Sequence, residues 1–598
     1  MEVTSPGFKA NAREALDDTT LQKALGFVKV GFVDRRAKAA ARLPEFEALR
    51  DQAKAIKDHT LANLDLYLER FEEKVTEAGG KVHWCRDGAE ARATILEICR
   101  RLEARTVTKG KSMIAEEIAL NDFLEEKGIE PVETDLGEYI IQLRHEPPSH
   151  IIAPAVHLVK EQVSDAFREA HTDLPADRNL DEAPTLLAEA RAILRRKFLA
   201  ADVGITGANF LIAETGSTVI VTNEGNGDLT QTLPRAHIVL ASLEKVVPTL
   251  EDASTILRVL ARSATGQEFS VYTTFSTGPR RAEDLDGPEE FHVVLLDNGR
   301  SAMLGTEFQD MLRCIRCGAC LNHCPVYGAV GGHAYGWVYP GPMGAVLTPS
   351  LVGIDKTGHL PNASSFCGRC EAVCPMRIPL PKMMRHWRER EFERHMTPAA
   401  ARTALGLWAW LAARPRLYGL LADFGMRALR LWARGRGALV RVPLAGGWTA
   451  ARDLPAPEGR SFQAQWRRRG GARLARRATM FSTACAGPMP GPPGAPSRVK
   501  STPAWPRLRP IWCPRAASSH PARASIFSSP WPKRRRRVSP GSTPPTPFRP
   551  KWCVICAPRT CPCASPWRRT RVCGRPASTR TPCWRCARGR ATARTRPA

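Results

Sequence analysis

Seven cysteines carry the chemistry that this sequence states most directly. Cys314, Cys317, Cys320 and Cys324 fall in "CIRCGACLNHCP", and Cys367, Cys370 and Cys374 fall in "CGRCEAVCP". The first spacing, Cys-x2-Cys-x2-Cys-x3-Cys-Pro, is one that wraps a [4Fe–4S] cube. Three thiolates two residues apart reach three irons from one tight loop, and the fourth, followed by proline, faces away to ligate a second cluster. Soft thiolates suit irons that exchange one electron with little rearrangement. A structural zinc site is the alternative. It would need four ligands in two CxxC knuckles and would leave the third cysteine and the trailing Cys-Pro without a purpose.

The same crossing assigns Cys374 to a first cluster with Cys314, Cys317 and Cys320, and gives the second cluster Cys324, Cys367 and Cys370. A fourth cysteine for the second cluster would stand three residues before Cys367, and that residue is Ser364. Three thiolates can hold a [3Fe–4S] centre. They can also hold a [4Fe–4S] centre whose fourth iron takes a hydroxyl, a water or an outside ligand, with His323 and His333 as candidate polar neighbours. Two one-electron centres close together make a wire. The chain between the motifs, "VYGAVGGHAYGWVYPGPMGAVLTPSLVG", reads as a cover that excludes water and donates backbone N–H groups to sulfur. No catalytic residue stands out.

These loops need elements to hold them. Residues 14–78 space apolar positions three and four apart, which predicts helices. From 81 to about 295 strands alternate with helices. Strands are expected at "KVHWC", "RTVTKGKS", "EYIIQL", "HIIAPAV", "NFLIAET", "STVIVTN", "HIVLAS" and "FHVVLLD". Helices are expected at "AEARATILEICRRLEA" and "AEEIALNDFLEEKG", and near 157–170, 182–199 and 250–262. The alternation predicts an α/β layer structure with a largely parallel sheet. "AETGSTVIVTN" reads as a hairpin turning at Gly216. Its Glu214, Thr215, Ser217, Asn223 and Glu224 are either pocket residues or turn residues, and the turn reading is preferred. "TKGKS" around Lys109 lacks the glycine spacing of a phosphate loop.

The expected domains are a helical extension (1–80), an α/β domain (81–298), an α-helical ferredoxin-like two-cluster domain (299–396), C-terminal helices (397–466) and a tail (467–598). Trp408, Trp410, Leu420 and Trp432 in the C-terminal helices are expected to lie against the cluster domain, with docking on a partner or a membrane surface as the alternative.

The net charge of +27 invites a nucleic-acid reading. The charge is uneven, however. Residues 461–598 hold 30 of the 87 Lys and Arg and no acid, which leaves 57 bases against 60 acids before them. The remainder is slightly acidic, so no nucleic-acid partner is expected. The tail also holds 23 of the 48 prolines and few aliphatic residues in any periodic arrangement. Such a segment cannot bury enough apolar surface to offset its ordering entropy and is expected to be disordered. Its Arg, Pro, Ala, Cys and Trp mixture also matches GC-rich coding read out of frame, with a frameshift or missed stop near 467–480. No leader and no apolar run long enough to span a membrane is apparent, which points to a reducing cytoplasm where clustered cysteines bind metal.

At this point the sequence is familiar. "MLRCIRCGACLNHCPVY", "GGHAYGWVYPGPMGAVLTP" and "SSFCGRCEAVCPMRIPLPKMM" resemble the iron–sulfur subunit of the lactate utilization system, the lactate utilization protein B family. "GANFLIAETGSTVIVTNEGN" and "TDLGEYIIQLRHEPPSHIIAPAVH" resemble the N-terminal domain of the same family, over roughly 10–466 in all. The resemblance implies an α/β domain of the CoA-transferase and ribose-phosphate-isomerase-like group. It implies two iron–sulfur clusters on the same seven cysteines, with three thiolates at the second. It further implies a part in cytoplasmic oxidation of L-lactate to pyruvate beside two partner subunits, a cysteine-rich-repeat protein and a second protein with the α/β domain. The chain would then be an oxidoreductase component that relays electrons rather than a stand-alone catalytic subunit. A relay in another hydroxy-acid or heterodisulfide-type oxidoreductase is the second reading. The family's usual C-terminus falls near "DLPAPEGRSFQAQWRRR", which sharpens the out-of-frame reading of the tail.

Overall fold

A computed structural model describes residues 3–469, apart from 111, 358, 434, 443–448, 450 and 451. The expectations of disorder and of out-of-frame sequence fall, beyond 469, outside the described residues.

Ten strands build two sheets in the α/β region: β1 (Lys81–Cys85), β2 (Thr106–Gly110), β3 (Glu130–Glu133), β4 (Val203–Gly207), β5 (Phe210–Ile212), β6 (Ser217–Thr222), β7 (Ala236–Ser242), β8 (Val246–Val247), β9 (Tyr272–Ser276) and β10 (Glu290–Leu296). The larger sheet has the order β1-β10-β7-β4-β2-β3, and every neighbouring pair is parallel. Parallel sheets are covered on both faces, so their strands read as continuous apolar runs. Strand β7, "AHIVLAS", is buried along its whole length. Its Ile238 and Leu240 join Ile95, Cys99 and Val107 in one core, while Val239 and Ala241 join Phe71, Val75 and Phe291 in another. That alternation is the two-residue period of a strand between two helical layers.

The smaller sheet runs β8-β5-β6-β9. Its β5–β6 hairpin turns at Gly216, whose φ of +67° is left-handed. A Cβ there would meet the backbone N of Val75 at 2.5 Å, so the turn also needs glycine's lack of bulk.

Two expected strands are absent. "EYIIQL" lies in the helix Leu136–Leu143, because Asp135 at its start accepts from Gly137 N at 3.1 Å and sets a helical first turn. "HIIAPAV" forms no strand. Its backbone closes in turns instead: Ser149 N donates to Pro154 O and Val156 N to Ala153 O, both at 3.0 Å, while the His150 side chain is hydrogen-bonded to Asn322 at 3.0 Å. Conversely, β3 ("EPVE") and β9 ("YTTFS") carry no expected strand pattern. Both are edge strands, where proline and exposed polar residues are tolerated.

The N-terminal helices, which include Phe8–Asp17, Thr19–Val28, Arg35–Ala41, Phe46–Ala62 and Leu64–Glu77, clasp the cysteine region. Ser5 donates to Tyr335 O at 2.7 Å and Gln22 to Ala329 O at 2.8 Å. At the other end, helices Ala399–Ala412 and Pro415–Ala433 depart from the expected packing. Trp408, Trp410, Leu420 and Trp432 are all at least half exposed. The helices meet each other and the short Phe462–Arg469 helix instead. Among the described residues no helix is long and apolar enough to cross a membrane.

Candidate metal centre

The two cysteine motifs fold as copies of one turn. Cys314-Ile315-Arg316-Cys317-Gly318 and Ser364-Ser365-Phe366-Cys367-Gly368 run in register. Arg316 and Phe366 are left-handed at φ +58° and +54°, and Gly318 and Gly368 follow at +71° and +77°. Short helices, Ala319–Asn322 and Arg369–Val373, then begin and carry Cys320 and Cys370. The hydrogen bonding repeats as well. Arg316 N donates to Cys314 Sγ at 3.4 Å, and Phe366 N donates to Ser364 Oγ at 3.2 Å. The Ser364 hydroxyl therefore holds, in the second turn, the place that the Cys314 thiol holds in the first.

Two cavities result. One is lined by Cys314, Cys317, Cys320 and Cys374, with Ile151, Met343, Met376 and Leu380 among its apolar walls. The other is lined by Cys324, Cys367 and Cys370, with Ser364 and Ser365. They are neighbours: Met343 and Leu380 line the first, and the adjoining Pro342 and Pro381 line the second. All seven cysteines are free thiols. Among the described residues no three or more His, Cys, Asp or Glu converge where a single metal ion could be held. Thiols that wrap a volume rather than a point fit a multi-iron group, in which each iron takes its own thiolate.

Burial pushes the Cys317 and Cys370 thiols up to about 12, and raises Cys320 and Cys374 also. Such thiols ionise only when a metal charge arrives beside them, so loading would release protons. Cys367 differs. It is exposed, and the backbone N–H of Arg369 lowers it.

Arginines from the N-terminal helices brace the second motif, a role the sequence did not signal. Arg36 donates to Val373 O at 2.9 Å, and Arg50 donates to Cys374 O at 2.7 Å and Ala372 O at 2.9 Å. His323 and His333 are occupied elsewhere, on Ala319 O at 2.9 Å and Pro147 O at 2.7 Å, and neither lines the second cavity. The glycine- and tyrosine-rich chain between the motifs covers the site, with Tyr327, Tyr335, Val338 and Tyr339 buried.

A separate cleft opens where β2 and β4 end, against the first cysteine loop. Its wall includes Ser112, Gly207, Asn223, Lys245, Arg316, Cys317 and Tyr339. The chain leaves β2 for β3 on one side and leaves β4 toward β7 on the other, so the point between β2 and β4 is the topological switch where α/β sheets bind ligands. Of the hairpin residues singled out above, only Asn223 lines this cleft. Thr215 and Ser217 bond each other at 2.8 Å as turn residues do, and Glu214 accepts from Leu250 N at 3.3 Å. Lys109 is ion-paired with Glu116 at 2.6 Å and Glu133 at 2.5 Å rather than free for an anion.

Comparison with known proteins bears on the same regions. The LUD domain family matches residues 68–296, the 4Fe-4S dicluster domain family matches 310–378, and the family "Lactate utilisation protein B, C-terminal" matches 369–471. Lactate utilization protein B of Bacillus subtilis (strain 168) is 42% identical over 475 residues, 77% of this chain and 96% of that protein. The chain belongs to the lactate utilization protein B family. The family's protein from Bacillus pumilus (strain SAFR-032) is 43% identical over 477 residues, 78% of this chain and 98% of its own. An uncharacterized electron transport protein of Escherichia coli (strain K12), YkgF, is 41% identical over 469 residues, 78% of this chain and 98% of its own. The LUD match ends on the last residue of β10, and the dicluster match encloses all seven cysteines of the two cavities. In this family the thiol-lined region is an iron–sulfur domain.

Proposed function

We propose that this chain is the iron–sulfur electron-transfer subunit of a multi-protein system that oxidises L-lactate to pyruvate in the cytoplasm. The observation that carries the reading is the pair of thiol-lined cavities, separated by adjoining residues, in a chain of the lactate utilization protein B family. Cys314, Cys317, Cys320 and Cys374 would hold a [4Fe–4S] cluster. Cys324, Cys367 and Cys370 would hold either a [4Fe–4S] cluster with an open or non-cysteine fourth ligand or a [3Fe–4S] centre. Such clusters take up and pass on electrons one at a time.

The chain's own residues supply the surroundings. Backbone N–H groups of Arg316 and Ile378 donate to Cys314 and Cys374 sulfurs at 3.4 and 3.5 Å, and donors of this kind raise a cluster's potential. Leu321, Tyr335 and Val338 keep water out. Arg36 and Arg50 hold the Cys374 turn against the N-terminal helices.

Two further subunits, one with cysteine-rich repeats and one with the same α/β domain, would supply and remove electrons. Peripheral membrane association is open to the exposed tryptophan-rich helices. The parallel sheet with its cleft at the strand ends supports kinship with the CoA-transferase and ribose-phosphate-isomerase-like group. A strain lacking this chain is expected to fail to grow on L-lactate as carbon source and to recover when the chain is restored. Normal growth would instead favour a relay in another hydroxy-acid or heterodisulfide-type oxidoreductase.

A further inference from the structure

The cleft at the ends of β2 and β4 has a buried cation whose donors its own residues leave open. Its charged lining is Lys245, Arg316, Asp135 and Glu138, and behind Arg316 lie the buried Lys57, Arg300, Glu117 and Glu244. Arg300 uses the last two. It is bidentate on Glu117 at 2.9 and 2.6 Å and reaches Glu244 at 3.2 Å. Lys57 donates to the carbonyl oxygens of Glu244 and Val246. Arg316, with a side chain only 10% exposed, donates from Nη2 to Glu244 Oε1 at 3.2 Å, while its Nε and Nη1 have no acceptor. Leaving buried guanidinium donors unmet is costly, more so for a charged group than for a neutral one. Such a group calls for an anion.

Two anions could answer. One is the cluster on Cys314, and the other is a ligand in the cleft. The lining residues favour the ligand, because Arg316 and Lys245 both line the cleft and neither lines the thiol cavity. The left-handed backbone at Arg316 does not account for the side chain, since the equivalent turn carries Phe366. The guanidinium carbon lies over the Tyr339 ring, 4.6 Å from its centroid, and Tyr339 is itself fixed by donating to Glu117 at 2.6 Å.

The rest of the wall defines the ligand's size and charge. Met113, Ile152, Leu240 and Ile315 add apolar surface to the wall, suited to a short alkyl group. Asp135 and Glu138 also line the cleft. Asp135 accepts from Gly137 N at 3.1 Å and Glu138 lies in the field of Lys109, so both are engaged, yet their charge still disfavours a dianion. A monoanionic carboxylate can engage the guanidinium bidentately without bringing the second negative charge of a phosphate.

We infer that this cleft binds a small aliphatic carboxylate of the 2-hydroxy or 2-oxo acid class, with Arg316 and Lys245 on its carboxylate. In lactate oxidation, on which this inference rests, that would put the acid against Cys317, on the wall of the first cluster cavity. The chain would then hold the substrate or product as well as relay its electrons.

The test uses the anaerobically reconstituted full chain with both clusters loaded by iron and sulfide analysis. Pyruvate is titrated by calorimetry, with inorganic phosphate as competitor. Saturable pyruvate binding is expected, weakened about tenfold or more in Arg316→Gln and in Lys245→Gln, about 1.4 kcal/mol or more. The lysine variant lies outside the cysteine loop and keeps the test decisive if Arg316→Gln fails to load iron. Absence of saturable binding would overturn the inference, and so would unchanged affinity in the variants. Displacement by phosphate at equal concentration would mark an unselective anion hole. Variants that shift only the first cluster's potential would assign the cations to the cluster. If partner subunits and L-lactate reduce a chain that does not bind pyruvate, the cleft inference falls and the electron-transfer reading stands. If pyruvate binds and lactate reduces nothing, the reverse holds.

Discussion

Ser364 is the residue on which the second cavity turns. Its Oγ accepts from Phe366 N just as Cys314 Sγ accepts from Arg316 N, so the turn already presents a ligand-sized group at the missing thiolate's position. Ser364→Cys is therefore expected to complete a four-thiolate site. EPR of the anaerobic protein should then lack any oxidised three-iron signal, and iron content should stay at or above the wild-type value. The seven cysteines were legible because their spacing is set by the group they wrap. Arg36, Arg50, Lys245 and Arg316 were not, since a cation in an amphipathic helix or loop looks like a solvated one until its fold partner is known. Glu146 gives a residue-scale test of the electrostatics. A hydrogen bond from His157, then the Arg144 guanidinium, holds its carboxyl down at about 2 against the upward push of partial burial. A depressed folded-state value stabilises the protein above the ordinary carboxylate range, and that stabilisation fades as pH falls toward about 2. Acid unfolding should show Glu146→Gln less stable than wild type near neutrality, with the difference closing at the acid end.

At the scale of elements, the central strands were readable because burial on both faces forces continuous apolar runs such as "AHIVLAS". The edge strands β3 and β9 were not, because an edge tolerates Pro131 and a strand whose polar Thr273, Thr274 and Ser276 are only half-buried. "EYIIQL" misled for a different reason. Its Tyr139, Ile140 and Ile141 suit a strand at least as well as a helix, and the Asp135 cap outside the stretch decides between them. Asp135→Ala should weaken that helix by about 1 kcal/mol, read as faster amide hydrogen exchange over 136–143. Gly216 makes a sharper case. Gly216→Ala places a Cβ 2.5 Å from Val75 N in a left-handed turn that alone costs about 1–2 kcal/mol, so a clear drop in unfolding midpoint is expected.

Across the whole molecule, one buried pair joins the α/β region to the cysteine region. Arg300, just after β10, pairs with Glu117, and Glu117 accepts from Tyr339 in the chain between the two motifs. Arg300→Met would strand Glu117 without its cation, and a loss of about 3–5 kcal/mol by chemical denaturation is expected. That long-range joint had no sequence signature, because its members lie 183 positions apart. The claim that most needs testing is the division of seven thiols between two crossed clusters. Cys324→Ala and Cys374→Ala, purified anaerobically and measured by EPR with iron and sulfide analysis, test it directly. Cys324→Ala, although in the first motif, should lose the second cluster and keep the first, and Cys374→Ala, although in the second motif, should do the opposite. Loss that follows the motifs instead, with Cys324→Ala removing only the cluster of Cys314, Cys317 and Cys320, would contradict it.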